Sequence, residues 1–96
     1  MNAKQRRTLA SIFAAPTRSD VLWSDIESLF HSLGANISEG AGSRVRVALN
    51  GIRAVFHRPH PERETDKGTI KSVARFLLAA GIKPAEDESN NKSTKD

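Results

Sequence analysis

Histidine and arginine carry most of the chemical capability in this 96-residue chain, which contains three histidines and no cysteine. His57 and His60 lie close together, with Arg44, Arg46, Arg53 and Arg58 near them in sequence. An imidazole has an ordinary pKa near 6.5, so it can take and return a proton around neutral pH. A guanidinium stays ionised, and its planar fork matches the oxygens of a phosphate. The combination suits proton transfer beside a bound negative charge. Without cysteine there is no thiolate nucleophile, thiolate metal site or disulfide scaffold. The histidines lack converging carboxylates at ligand spacing, so neither a metal nor any other cofactor is expected. Ser43 lacks the elbow and third partner of a serine hydrolase. His31, beside the apolar stripe of a helix, is expected to be structural or exposed.

Whether those side chains meet depends on the elements carrying them. Arg44-Val45-Arg46-Val47-Ala48-Leu49 alternates strictly, the pattern of a half-buried strand. Asn50-Gly51 then marks a two-residue type I′ hairpin turn, because both of its central positions need positive φ. The return strand is Ile52 to His57. A two-residue loop fixes the register. Leu49 opposes Ile52, Val47 opposes Ala54 and Val45 opposes Phe56 on the buried face. On the open face Arg44 opposes His57, Arg46 opposes Val55 and Ala48 opposes Arg53. The turn alone thus gathers three arginines and a histidine on one side of the sheet.

The remaining elements follow from periodicity. Leu9, Ile12 and Phe13 predict a short helix over residues 6–14, stopped by Pro16. Ser24 reads as an N-cap with Glu27 completing a capping box, opening a helix over 25–33 that ends at Gly34. Trp23, just before it, reads as a core anchor. Asn36 to Glu39 predicts a short first strand, and Gly40 to Ser43 a loop whose Gly42 and Ser43 could place backbone amides on a phosphate. Pro59 and Pro61 end the second hairpin strand. Thr65 or Asp66 caps a last helix running to about Ala80, with Gly81 as its stop. The prediction is an α+β domain, a three-stranded antiparallel sheet with helices packed on one face and an extra N-terminal helix.

Charge is concentrated rather than large. The chain carries +4 overall, with 15 Lys and Arg against 11 Asp and Glu. Between Gly40 and Arg75 eight bases face three acids, a local net of +5. From Pro84 onward four acids face two lysines, in a stretch with almost no apolar side chain. Residues 84–96 are therefore expected to be a disordered tail, residues 17–83 the domain, and residues 1–16 a helical extension. The longest apolar run, Phe76 to Ala80, is too short to span a bilayer. The basic N-terminus is not followed by an unbroken apolar stretch, so a cytoplasmic protein without membrane contact is expected. The basic set Arg44, Arg46, Arg53, Arg58, Lys67 and Lys71 fits the backbone of a nucleic acid.

A family resemblance enters through particular residues. Leu33-Gly34-Ala35, Gly42-Ser43-Arg44, Arg58-Pro59-His60, Lys67-Gly68-Thr69-Ile70-Lys71-Ser72-Val73 and Ala80-Gly81-Ile82 together resemble the HicA family of bacterial toxins. The likeness covers roughly Ser24 to Ile82, and its most specific piece is Gly68 to Val73. It implies a fold like a double-stranded-RNA-binding domain. It further implies an endoribonuclease (an mRNA interferase) that acts on mRNA and is neutralised by a HicB antitoxin. The family usually carries a catalytic histidine directly after Gly-Ser or one residue later, and here those positions hold Arg44 and Val45. The family's later histidine matches His60.

The residues then suggest how such cleavage would run. A base must take the 2′-hydroxyl proton, positive charge must meet the developing phosphorane, and an acid must protonate the leaving oxygen. His57 and His60 are the candidates for proton transfer and Arg44 for charge. With no aromatic side chain on the open face, recognition of backbone rather than of stacked bases is expected. The chain is expected to be monomeric when free. Two other functions fit the same residues: an RNA-binding module without nuclease activity, and a protein that binds only an antitoxin.

Overall fold

A computed structural model describes residues 1–84, so all but the first residue of the expected tail lies outside the described residues. The order of elements is α1 (Ala3–Ile12), α2 (Trp23–Ser32), β1 (Asn36–Glu39), β2 (Arg44–Leu49), β3 (Ile52–His57) and α3 (Lys67–Ala79). The strands form one antiparallel meander in the order β1-β2-β3. This is the expected α+β architecture.

Asn50 and Gly51 take φ of 52° and 83°, as a type I′ turn demands. The register follows from it: Leu49 pairs with Ile52, Val47 with Ala54, Val45 with Phe56 and Arg44 with His57. The Asn50 side-chain amide also donates to the Ala80 carbonyl at 2.8 Å, tying the turn to the end of α3.

Alternation along β2 sends Val45, Val47 and Leu49 to one side, where all three are buried with Phe56 of β3. The helices cover that side. Ile26, Leu29 and Phe30 of α2 and Ile70, Val73, Phe76 and Leu77 of α3 are buried in the same cluster. Leu9 and Ile12 of α1 belong to it too. Phe30 lies 6.0 Å from Phe56 and 5.7 Å from Phe76, centroid to centroid, so one aromatic group joins all the layers.

Helix starts separate local signals from long-range ones. α1 begins three residues earlier than expected, because Asn2 and Gln5 form a reciprocal capping box with bonds of 2.8 and 2.9 Å. It ends at Ile12, with Phe13 as the cap. α3 starts where expected, with Asp66 accepting from the Thr69 backbone at 3.1 Å. The start of α2 is corrected: its N-cap is Leu22, without any side-chain cap, and the Ser24–Glu27 capping box does not form. The cause is a pairing across the chain. Leu22 bridges Glu64, the Trp23 N–H donates to the Arg63 carbonyl at 3.0 Å, and the Thr65 N–H donates to the Val21 carbonyl at 2.8 Å. Glu27 meanwhile accepts from the Trp23 indole and from Arg58, partners a backbone amide does not displace.

Candidate functional site

The uncovered face of the sheet presents Arg44 and Arg46 of β2, and Arg53, Val55 and His57 of β3, all exposed. A hydrogen bond of 2.9 Å runs from the Arg58 N–H to the Ser43 carbonyl. That makes 43 and 58 a hydrogen-bonded pair, so the adjacent pair Arg44 and His57 is of the other kind. In such pairs the Cα atoms stand only about 4.5 Å apart and the side chains run close together. The same parity applies to Arg46 with Val55 and to Ala48 with Arg53.

Three shallow concavities surround this face. One of about 560 Å³ crosses the sheet and includes Asn36, Ser38, Arg46, Arg53 and Val55 in its lining. A second, of about 400 Å³, is lined by Ala41, Gly42, Ser43, Arg44 and His57. Gly42 has φ of 66°, which a side chain would oppose, and it turns the loop so that Ser43 leads into β2. The third, of about 610 Å³, includes His57, His60, Asp66 and Thr69 in its lining. His57 therefore borders two concavities, with the Gly42–Ser43 loop on one side and His60 with the start of α3 on the other.

At the start of α3 the Thr69 hydroxyl and backbone N–H both donate to Asp66, the former at 2.7 Å. These bonds hold the Asp66 carboxyl below its ordinary range. Lys67 and Lys71 are exposed on α3, one turn apart, in the layer that covers the opposite face of the sheet from Arg44, Arg46 and Arg53. His31 is exposed on α2, away from these groups.

Arg58, expected among the bases that meet RNA, is engaged in two ion pairs. Its Nε donates to Glu27 at 2.7 Å and its Nη1 to Glu39 at 2.7 Å. These two acids raise the Arg58 pKa further above its ordinary value, and Arg58 in turn lowers that of Glu39. The reason is alternation. Phe56 points into the core and His57 away from it, so Arg58 returns to the helix side, where α2 presents Glu27. Glu39, paired with Val45, shares that parity. Sequence reasoning did not single out Glu27 or Glu39 as partners, although the hairpin alternation extended by one residue already points Arg58 away from His57. Among the described residues no carboxylate pairs with Arg44, Arg46 or Arg53; the Arg46 guanidinium donates to the Glu39 carbonyl at 3.1 Å.

The fold is thus that of a small α+β domain whose sheet displays exposed arginines beside an exposed histidine. Comparison with protein families places it further: residues 23–82 match the HicA toxin of bacterial toxin-antitoxin systems, and the chain belongs to that family. The match begins at the first residue of α2, so α1 lies outside it. No curated protein and no solved structure matches the chain. No helix among the described residues is long and apolar enough to cross a membrane.

Proposed function

We propose that this toxin-family chain is an endoribonuclease that cuts mRNA without a metal, using His57 in place of the histidine that the family usually carries after Gly-Ser. The observation carrying this reading is the pairing of Arg44 with His57. The missing histidine's position is filled by an arginine, and a histidine stands directly across the ladder, so an imidazole remains within one side chain's reach of the same spot.

His57 accepts the 2′-hydroxyl proton as the 2′ oxygen bonds to phosphorus. The bond from phosphorus to the 5′ oxygen breaks, and His60 protonates that oxygen. The products are a 2′,3′-cyclic phosphate and a free 5′-hydroxyl. Arg44 meets the phosphorane charge, and the backbone amides at Gly42 and Ser43 lie toward the same phosphate. Arg46 and Arg53 hold the flanking backbone, with Lys67 and Lys71 extending the contact around the edge at His57. Arg58, paired with Glu27 and Glu39, is not among the RNA contacts. A HicB-like antitoxin covers this basic face in the cytoplasm and silences the monomeric toxin.

Cleavage of a labelled transcript in the presence of EDTA tests the reading. Wild type should cut it, and His57→Ala and His60→Ala should cut far less and lose growth inhibition. Full activity in His57→Ala would sink the assignment. Arg44 at the usual histidine position favours one other reading, an RNA-binding module without catalysis. Binding that weakens with salt, with no cutting by wild type, would select it.

A further inference from the structure

Loop 40–43 delivers Arg44 to the site, and little in its own sequence makes it rigid. It contains two glycines, and Gly42 sits at positive φ. Both of its ends nevertheless meet one residue. Glu39, just before the loop, accepts from Arg58 Nη1 at 2.7 Å, and Ser43, its last residue, accepts from the Arg58 N–H at 2.9 Å. The other side of the same guanidinium is anchored on α2, with Nε and Nη2 donating to Glu27 at 2.7 and 3.3 Å. Glu27 in turn accepts from the indole of Trp23, which is buried and packs 6.3 Å from Phe30 and 5.9 Å from Phe56. A continuous line of contacts therefore runs from the aromatic core through Glu27 and Arg58 to both ends of the loop.

We propose that Arg58 is a positioning residue, a clamp that ties loop 40–43, itself closed by the Gly40 N–H on the Arg44 carbonyl at 2.9 Å, to α2 and so steadies Arg44 in the place opposite His57 that the hairpin register assigns it. Its importance for cleavage rests on the endoribonuclease reading above; the clamp itself does not. Two features set it apart from an ordinary surface ion pair. One guanidinium joins three elements, α2, the end of β1 and the end of β3, where an isolated pair joins two side chains. It also balances two carboxylates at once, where an isolated pair balances one. Arg58 is the neighbour of His57, so a shift at one end of the clamp reaches both members of the Arg44–His57 pair.

Two variants separate the clamp from the fold. Glu39→Ala removes an arm whose side chain is 70 % exposed, and Arg58→Lys keeps the charge but loses the fork. In both, thermal unfolding should stay near wild type. Backbone order parameters at Gly42, Ser43 and Arg44 should fall from about 0.85 to below about 0.6. Single-turnover cleavage should slow by about 10- to 100-fold in kcat with KM little changed, because misplaced groups lose rate rather than binding. Unchanged order parameters in both variants overturn the clamp. Lower order with undiminished kcat overturns its part in cleavage. A wild type that leaves the transcript intact overturns the endoribonuclease reading, and the order parameters then decide the clamp by themselves.

Discussion

Arg44 and His57 are direct partners across β2 and β3, one step beyond the hydrogen-bonded pair of Ser43 and Arg58. A cross-strand pair of this type brings two side chains closer than a hydrogen-bonded pair does. In the proposed cleavage, Arg44 supplies charge stabilisation and His57 proton transfer from neighbouring strands.

That division predicts a reciprocal effect. His57→Ala should lower the cleavage rate by about 100-fold or more, the usual range for removing a general base. Adding Arg44→His to that variant should return part of the lost rate, since the imidazole then comes from the opposite strand at the same level of the ladder. Rates on a labelled transcript for the two single variants and the double variant check this. A double variant no faster than His57→Ala counts against a shared position.

Salt should report which bases meet phosphate. Arg46→Gln and Arg53→Gln should each weaken RNA binding and flatten the plot of log affinity against log salt by about 0.7, the contribution of one phosphate on a single strand. His31→Ala, on exposed α2, should leave the slope unchanged. Binding titrations at several ionic strengths measure both.

The Asp66 cap predicts a pH-dependent loss of stability. Asp66→Ala should cost about 1 kcal/mol, which for a domain of this size lowers Tm by roughly 4–8 °C. Folding lowers the Asp66 carboxyl below its ordinary value. Its contribution is therefore complete above the unfolded pKa of about 3.9 and fades as the pH falls through the folded value. Thermal unfolding at neutral pH and at about pH 2 should show the gap between wild type and variant narrowing in acid. Glu39, lowered by Arg58, shifts stability in the same direction.

α1 should prove part of the domain's core although the family match starts at Trp23. Leu9 is 2 % exposed and belongs to the same cluster as Phe30 and Leu77. Leu9→Ala should cost about 2–5 kcal/mol, the range for emptying a buried leucine site. Denaturant unfolding gives the value directly. A cost under about 0.5 kcal/mol, typical of an exposed site, would mark α1 as an appendage.

Much of the fold was legible in the sequence because its strongest signals are local. A two-residue Asn50-Gly51 turn admits one register, so the facing pairs from Leu49–Ile52 to Arg44–His57 could be written down before any tertiary contact was known. Asp66 with Thr69 is likewise a cap closed within one turn. Tertiary structure decided matters wherever a side chain had a distant competitor. Glu27 could serve Ser24 three residues away, yet it bonds Arg58, 31 residues away, because the guanidinium offers a charged, two-point partner. Alternation along β3 had already turned Arg58 to the helix side; packing decided that Glu27 and Glu39 would meet it there. Register depends on the residues inside a turn; the partner a charged side chain takes depends on which elements packing brings within about 3 Å of it.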